Sequence, residues 1–404
     1  MRVLCSAVGI ALCVAATASA QPVHLSLSET LARARDQAPA VLIARGRIEE
    51  SRARLVGARL RYPENPSLDV SGGPRRKDGG TYADIEVGFS QRFQTGGQRD
   101  ARIAAADAGI GAATAEADEA RRLVMASAAT LFLRLSWAQA RLALLESSEQ
   151  TAADVLRLAT LRYTAGDIAI LDVNLGRSAL ARARSARMAA DADRRITSAE
   201  LGRLIGMPAT EIVASDALKD ARPGELGDLL ASVDTRPDLR ALEAGLAEAN
   251  ADVRLGAASR RPDLSLGGWL KREGGEQAVI AGLTVALPTV DKGRGLQAEG
   301  SARGARIRQE LEVARANAVG EVRALHDAFA IRRAAADAFE QEALPTAIES
   351  DALAQRSFEE GELSFADLIV VRRELLDTRL EYLDRLLDAA ETAIARDAAA
   401  GVLR

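Results

Sequence analysis

The longest regular pattern of apolar positions lies between Gln98 and Arg162, in a stretch that is rich in alanine and contains no proline. Apolar residues recur there at alternating spacings of four and three, which is typical of a coiled-coil seam. A single helix through this stretch would be about 100 Å long at 1.5 Å per residue, longer than an ordinary domain is wide. The seam residues are Leu131, Leu135, Ala138, Leu142, Leu145, Ala152, Leu156, Ala159 and Tyr163, and only Glu149 interrupts them.

The second half of the chain carries the same signal. Its seam residues are Leu376, Leu380, Leu383, Leu387, Ala390 and Ile394. The two seams predict two long antiparallel helical hairpins. Pro345 falls inside the second long helix and should bend or break it near Gln341, because proline lacks a backbone donor and clashes with the preceding turn.

Between the helical stretches, two short regions alternate apolar and polar residues with a period of two. The strand from Tyr82 to Phe93 and the strand from Gln277 to Leu287 each have one apolar face. A length near ten residues with one apolar face suits a transmembrane strand. We expect two strands in 67–93 and two in 263–287, with polar hairpin loops at 74–81 and 272–276. The aromatic residues near strand ends, which are candidate membrane-interface anchors, are Tyr62, Tyr82, Phe93 and Trp269.

Periodicity alone leaves two interpretations of these strands open. They form either a small soluble sheet that caps a helical bundle or part of a membrane-spanning barrel. Four strands cannot close a transmembrane barrel, since the smallest need about eight. If the strands cross a membrane, several chains must share one barrel.

The order of elements occurs twice at one constant offset, which indicates an internal repeat. We expect a first repeat at 21–206, with a helical hairpin at 97–206, and a second repeat at 235–404, with a hairpin at 292–400. An equatorial connector at 207–234 joins them. A helix from the capping box at Ser26 to Tyr62 opens the first repeat, and a helix from Pro237 to Arg261 opens the second.

The first 20 residues have the form of a cleaved signal peptide, with a basic start, a short apolar run and Ala18-Ser19-Ala20 at its end. Both cysteines lie in this segment, so the mature chain is expected to contain neither a disulfide nor a reactive thiol. No later stretch matches the roughly 20 apolar residues of a membrane-spanning helix. The net charge of −4, with 53 basic and 57 acidic residues interspersed, argues against a nucleic-acid partner.

The chain resembles the TolC family of outer-membrane efflux ducts over essentially its whole mature length. The resemblance is carried by the duplicated order of elements and by four motifs. These motifs are Gln91-Arg-Phe-Gln-Thr-Gly-Gly-Gln-Arg99, Leu287-Pro-Thr-Val-Asp-Lys-Gly-Arg-Gly295, the turn from Arg162 to Asp172 and the turn from Ser357 to Asp367. The Gly-Gly-Gln-Arg stretch with Arg102 looks closest to the branch that serves cobalt-zinc-cadmium and related cation pumps.

The resemblance implies a mainly α fold with a small β part, in which three chains contribute four strands each to a twelve-stranded barrel. It implies a homotrimeric exit duct in the Gram-negative outer membrane, with its helical part in the periplasm. The implied partners are outer-membrane lipid, a periplasmic adaptor and an inner-membrane pump of the resistance-nodulation-division type. The implied cargo is heavy-metal cations, with drug efflux and type I protein secretion as alternatives.

By the same resemblance, the two glycine turns form a periplasmic tip where an adaptor docks. The residues that match the tip motif are Arg162, Tyr163, Gly166, Phe358 and Gly361. The physical alternative is that both glycines simply provide the left-handed backbone of a helix end.

Two acidic residues at the starts of the return helices, Asp172 and Asp367, are candidates for a periplasmic gate. Repeated by threefold symmetry, their carboxylates would form a negative ring that favours cations. The alternative is a helix cap, because Ser364-x-x-Asp367 has the spacing of a capping box and acids suit helix starts.

We find no constellation that predicts catalysis, a cofactor or a metal site, so we expect no enzyme, and the resemblance implies a passive duct. His24 and His326 do not stand at metal-ligand spacing with each other or with acidic residues. A soluble periplasmic coiled-coil scaffold or adaptor is the alternative function from a different class.

Overall fold

The computed structural model describes residues 22–62, 64–218, 224–274 and 276–403. The predicted signal peptide at 1–20 lies outside the described residues. The first half consists of β1 (Val23–Leu25), α1 (Leu27–Gln37), α2 (Pro39–Ala58), β2 (Ser67–Lys77), β3 (Gly80–Phe93), α3 (Gln98–Ala165) and α4 (Ile170–Leu204).

The second half begins with a short strand and a short helix and then follows the same order. Its strands are β4 (Ile212–Ala214), β5 (Asp263–Glu273) and β6 (Glu276–Ala286). Its helices are α5 (Leu226–Ser232), α6 (Pro237–Ala258), α7 (Arg294–Ala338), α8 (Leu344–Glu360) and α9 (Phe365–Ala400), with a 3₁₀ turn at Val233–Thr235 and a π-helical turn at Phe339–Ala343.

Helix α3 is a single helix of 68 residues, as the coiled-coil pattern predicts. Leu135, Ala138 and Leu145 of the seam are buried, and α3 packs against α4 and α9. Glu149, which interrupts the seam, accepts hydrogen bonds from Arg184 (3.1 Å) and Arg187 (2.6 Å) on α4. These two hydrogen bonds lower the pKa of Glu149 below its ordinary value of 4.5. The polar interruption is therefore an ion-paired contact between the two helices of the hairpin.

One 18-residue window of α3 has the length and hydropathy of a membrane-spanning helix, contrary to our expectation that no such stretch exists. The helix packs against other helices of the chain, and 44% of the window is buried within the protein. Core helices of soluble domains satisfy the same criterion, so the window does not define a membrane span.

The second long helix is interrupted at the predicted place. Helix α7 ends at Ala338, and the Leu344 N–H donates to the carbonyl of Phe339, which is a π-type bond. Pro345 follows at the start of α8, and because it has no backbone N–H it cannot donate the hydrogen bond that an α-helix requires at that position. The wider turn lets the helix continue past the proline.

The first short helix is two helices, which corrects the expected single helix from Ser26 to Tyr62. The capping box is present, since Glu29 N–H donates to Ser26 Oγ (3.2 Å) and Ser26 N–H donates to Glu29 Oε2 (2.8 Å). Helix α1 ends at Gln37 because Ala38 is extended (ψ 137°), as is favoured before a proline. Pro39 then opens α2 at a first-turn position.

A parallel pair of three-residue strands, β1 and β4, was not predicted, because three residues are too few to show an alternation. Leu25 and Ile212 of this pair are buried against α3 in the largest apolar core. The side chain of Gln139 on α3 accepts from Ala214 N–H (2.8 Å) and donates to Ala214 carbonyl (3.1 Å). The pair therefore fastens the connector region to the middle of the long helix.

The main sheet has the order β2-β3-β5-β6, and all its neighbouring strands are antiparallel. The β3-β5 pairing joins the two halves of the chain. The hairpin turns are shorter than the predicted loops at 74–81 and 272–276, because the strands extend to Lys77 and Glu273 and resume at Gly80 and Glu276. Asp78 and Gly79 have φ values of 51° and 78°, the backbone of a tight two-residue hairpin turn.

The register confirms that the sheet has one apolar face. Val87 lies opposite Val70 and Leu270, and Leu270 lies opposite Val279. Large side chains on this face are exposed in the single chain, up to 81% for Val279. The face therefore requires a covering that the single chain does not provide.

Trp269 is not near a strand end, so its predicted role as an interface anchor is wrong. It lies in the middle of β5 opposite Gly88 and Ile280, on the polar face of the sheet. A Cβ atom built on Gly88, Gly267 or Gly282 would lie within 3.0 Å of the indole ring. The ring therefore lies flat across three strands, in the space that the missing side chains leave.

We expect Gly88→Ala to displace the Trp269 ring, because the new methyl group would overlap it, and to destabilise the protein by about 1–3 kcal/mol. The near-ultraviolet circular dichroism of Trp269, measured in a Trp137→Phe background, and the melting temperature in detergent report this change. Gly73→Ala is the matched control, since it lies on the same face with nothing within 4 Å of the added Cβ. Equal effects of the two substitutions would contradict this account of the tryptophan.

Candidate functional site

The first tip joins α3 to α4 through a glycine in the left-handed conformation. Gly166 has φ 88°. Its N–H donates to the carbonyl of Tyr163 (3.0 Å), and Asp167 N–H donates to the carbonyl of Arg162 (2.9 Å). These two bonds form a Schellman motif, which satisfies carbonyls that a helix end leaves free.

The second tip repeats this geometry between α8 and α9. Gly361 has φ 82°, and its N–H donates to the carbonyl of Phe358 (3.2 Å). Glu362 N–H donates to the carbonyl of Ser357 (2.8 Å). Both glycines therefore have a structural reason for their place, independent of any partner.

The return helices begin with acidic residues that are bonded to the backbone or to the capping residue. The carboxylate of Asp172 accepts from the N–H of Ala169 (3.3 Å). Asp367 N–H donates to Ser364 Oγ (3.2 Å), and the Ser364 hydroxyl donates to the Asp367 carboxylate (2.6 Å). The geometry in one chain supports the helix-cap interpretation of both residues. Asp367 is also exposed, which leaves part of its carboxylate available to solvent.

Arg162 connects the two tips. Its guanidinium lies over the ring of Phe358, 4.4 Å from the centroid, and its Nη1 donates to the carbonyl of Phe358 (3.4 Å). A cation over an aromatic face contributes about 0.5–2 kcal/mol. The contact holds the end of α3 against the end of α8.

A small apolar core lies beneath this contact and contains residues that sequence reasoning missed. Phe358 and Phe365 are 2% and 3% exposed, and their ring centroids are 6.0 Å apart. Gly176 of α4 leaves room for Phe365, since a Cβ there would lie 3.4 Å from the ring. The one sequence signal that could have identified Phe365 as a core residue was its position as an apolar residue directly after the Ser364 cap. The remaining core residues are Val155, Ala159, Ala354 and Leu368.

Several apolar side chains at the tips remain exposed. Tyr163 is 43% exposed, and Leu161, Leu171 and Val370 are more exposed still. Of the predicted tip residues, Phe358 is therefore buried, Arg162 is partly buried, and Tyr163, Gly166 and Gly361 are at the surface.

No group of three or more His, Cys, Asp or Glu side chains is arranged to hold a metal ion in the described ranges. His24 is exposed on β1, and His326 lies partly buried on α7. The structure brings neither histidine to the tips.

The sequence profile of the family described as outer membrane efflux protein matches residues 30–207. The nickel-cobalt-cadmium resistance protein NccC of Alcaligenes xylosoxydans xylosoxydans is 28% identical over 341 residues, covering 78% of this chain and 75% of that protein. The cobalt-zinc-cadmium resistance protein CzcC of Cupriavidus metallidurans is 25% identical over 309 residues, covering 76% and 74%.

The fold is that of solved outer-membrane channels. The Campylobacter jejuni CmeC outer membrane channel superposes with a TM-score of 0.75 at 17% identity, covering 93% of this chain and 85% of that chain. The molecule is thus an outer-membrane efflux channel, and the resemblance to TolC-like ducts is confirmed. Over residues 30–207 the chain matches the outer membrane efflux protein family, and two metal-resistance proteins align with about three quarters of it.

We expect Gly166→Ala to destabilise the first hairpin by about 1–2 kcal/mol, because an alanine in the left-handed region brings its Cβ too close to the backbone. Gly111→Ala is the control, since Gly111 is an exposed glycine inside α3 without a positive φ and with nothing within 4 Å of the added Cβ. The control should stabilise by about 0.5–1 kcal/mol. Denaturant unfolding of the helical signal measures both, and a stable Gly166→Ala protein would contradict the left-handed cap.

Proposed function

We propose that three copies of this chain form one exit duct in the outer membrane, which works with a periplasmic adaptor and an inner-membrane pump. The duct is passive, since it offers a path and no chemistry of its own. Substrates enter at the periplasmic tips and leave the cell through the barrel that the strands form.

The main support for the trimer is that the main sheet is open at both edges. The edge strands β2 and β6 each have 11 residues, and each pairs on one side only. Unpaired backbone groups in lipid cost several kcal/mol each, so only closed barrels span membranes as sheets. Three copies of four strands make twelve, well above the roughly eight that a transmembrane barrel needs.

The length of the helices supports a duct that crosses the periplasm. Helix α3 with 68 residues extends about 100 Å from the sheet, at 1.5 Å per residue. The exposed apolar residues at the tips, such as Leu171 and Val370, provide a surface for an adaptor.

We also propose that the chain divides into the repeats 21–206 and 235–404, with the connector 207–234 between them. The support is that each part has a helix, a β-hairpin, a long helix and a return helix in the same order. Both tips also end in the same Schellman geometry.

Heavy-metal cations are the proposed cargo. The support is that the two relatives are resistance proteins for nickel, cobalt, zinc and cadmium. The pump partner selects the cargo, so the duct needs no metal-binding site of its own.

The trimer predicts disulfide cross-links between the two edges of the sheet. Ser71→Cys on β2 is combined with one cysteine on β6, scanned over the positions 278, 280, 282 and 284. Within one chain the two edges are three strand spacings apart, about 14 Å, which a disulfide cannot span. The only natural cysteines are Cys5 and Cys13 of the predicted signal peptide, so each cross-link must join two copies.

We expect a covalent trimer on a non-reducing gel and a trimeric native mass in detergent. The single variant Ser71→Cys is the control and should give no trimer. Absence of cross-links at all four β6 positions, or a ladder that continues beyond three chains, would contradict the shared barrel.

The gate proposal for Asp367, and by analogy for Asp172, predicts that Asp367→Ala raises resting conductance and lowers cation preference in planar bilayers. Ser364→Ala is the matched control, because it removes the same cap at a cost of about 0.5–2 kcal/mol but keeps the carboxylate. A change with Asp367→Ala alone supports a gate. If both variants conduct like the unmodified channel, Asp367 is not a gate and acts only as part of the helix cap.

A further inference from the structure

Charged residues are distributed unequally between the two faces of the main sheet. The register places even-numbered residues of β2 and β5 on the same face as odd-numbered residues of β3 and β6. Among the residues of these four strands, Arg76 and Arg272 are the only charged residues on the apolar face. The carboxylates of the strands, Asp69, Asp84, Glu86, Asp263, Glu273 and Glu276, lie on the opposite face.

Both arginines lie at the same end of the sheet. Arg76 precedes the last residue of β2, and Arg272 precedes the last residue of β5, each next to a hairpin turn. The helices attach at the other end. Since the helices lie in the periplasm, this rim of the apolar face lies at the outer leaflet of the membrane.

Neither arginine has an ion-pair partner in the described part of the chain, and both are exposed. The neighbouring Arg75, on the polar face, behaves differently. It pairs with Asp84 (2.6 Å) and with Glu273. The fold thus provides acidic partners for Arg75 on the polar face. Among the described residues, it provides none for Arg76 and Arg272 on the apolar face.

We propose that Arg76 and Arg272 bind phosphate groups of the phosphorylated glycolipid in the outer leaflet. This inference rests on the proposed function, in which the apolar face meets lipid. An arginine at the end of a lipid-facing strand reaches the headgroup layer with its charged end. Its planar guanidinium donates two parallel hydrogen bonds to a phosphate, and no carboxylate of the strands competes on that face.

The test compares two lipids with identical acyl chains, bisphosphorylated lipid A and its fully dephosphorylated form. Each is titrated into the full-length protein in neutral detergent, and bound lipid is counted by native mass spectrometry. We expect the unmodified protein to prefer the phosphorylated lipid by about 25-fold, since each of the two arginines near a lipid surface contributes about fivefold. The Arg76→Gln, Arg272→Gln double variant should reduce this preference to near one.

The matched control is the Arg308→Gln, Arg323→Gln double variant, which removes the same charge from exposed, unpaired positions of α7. It should keep the full preference. The Arg76→Lys, Arg272→Lys variant keeps the charge but loses the planar donor, and it should keep only part of the preference. High salt should weaken the preference of the unmodified protein for the phosphorylated lipid. This measurement tests the inference without any substitution.

A trimeric protein without phosphate preference, or a double variant that keeps it, would overturn this inference and leave the proposed function intact. A monomeric protein in which the β2 and β6 edges never cross-link would overturn the proposed function and the inference with it. Loss of preference in the helix control as well would show that general charge, not these two arginines, attracts the lipid.

Discussion

The unpaired edges of the main sheet are the constraint on which the rest of this channel depends. Strands β2 and β6 leave a row of backbone donors and acceptors free, and the apolar face beside them is exposed. In water such edges invite aggregation, and in lipid they are prohibitively costly. Closure with other copies, as in the proposed trimer, would resolve both problems at once. In the proposed trimer, the threefold duct, the tunnel of helices below it and the ring of tips would all follow from that closure.

The helical part extends over a distance that few domains span. One uninterrupted helix, α3, holds the sheet at one end and the first tip at the other. Its contacts change along its length, from the Glu149 ion pairs with α4 to the Gln139 bonds with β4. At the tip, the Arg162–Phe358 contact joins the two hairpins of one chain. The two tips of one chain are therefore held together by a direct contact.

The two faces of the main sheet differ in the side chains that they carry. Glycines at three positions make room for one flat indole on the polar face. On the apolar face of the four strands, charge is confined to two arginines beside the turns. The same alternation that makes a strand amphipathic thus also decides on which face of the sheet each charge lies.

The sequence alone determined the features that depend on local periodicity and on backbone chemistry. Heptad spacing predicted the length of α3, alternation predicted the apolar face, and the glycines of the tips predicted the left-handed turns, because each property is decided by neighbouring residues. Pro345 likewise located the break in the second long helix. Only the tertiary structure decided which distant groups meet: Trp269 over three glycines, Phe365 against Gly176, and the β1-β4 pair against α3. These contacts join residues far apart in the chain, and no local pattern encodes which partner a side chain will find once the strands are in register.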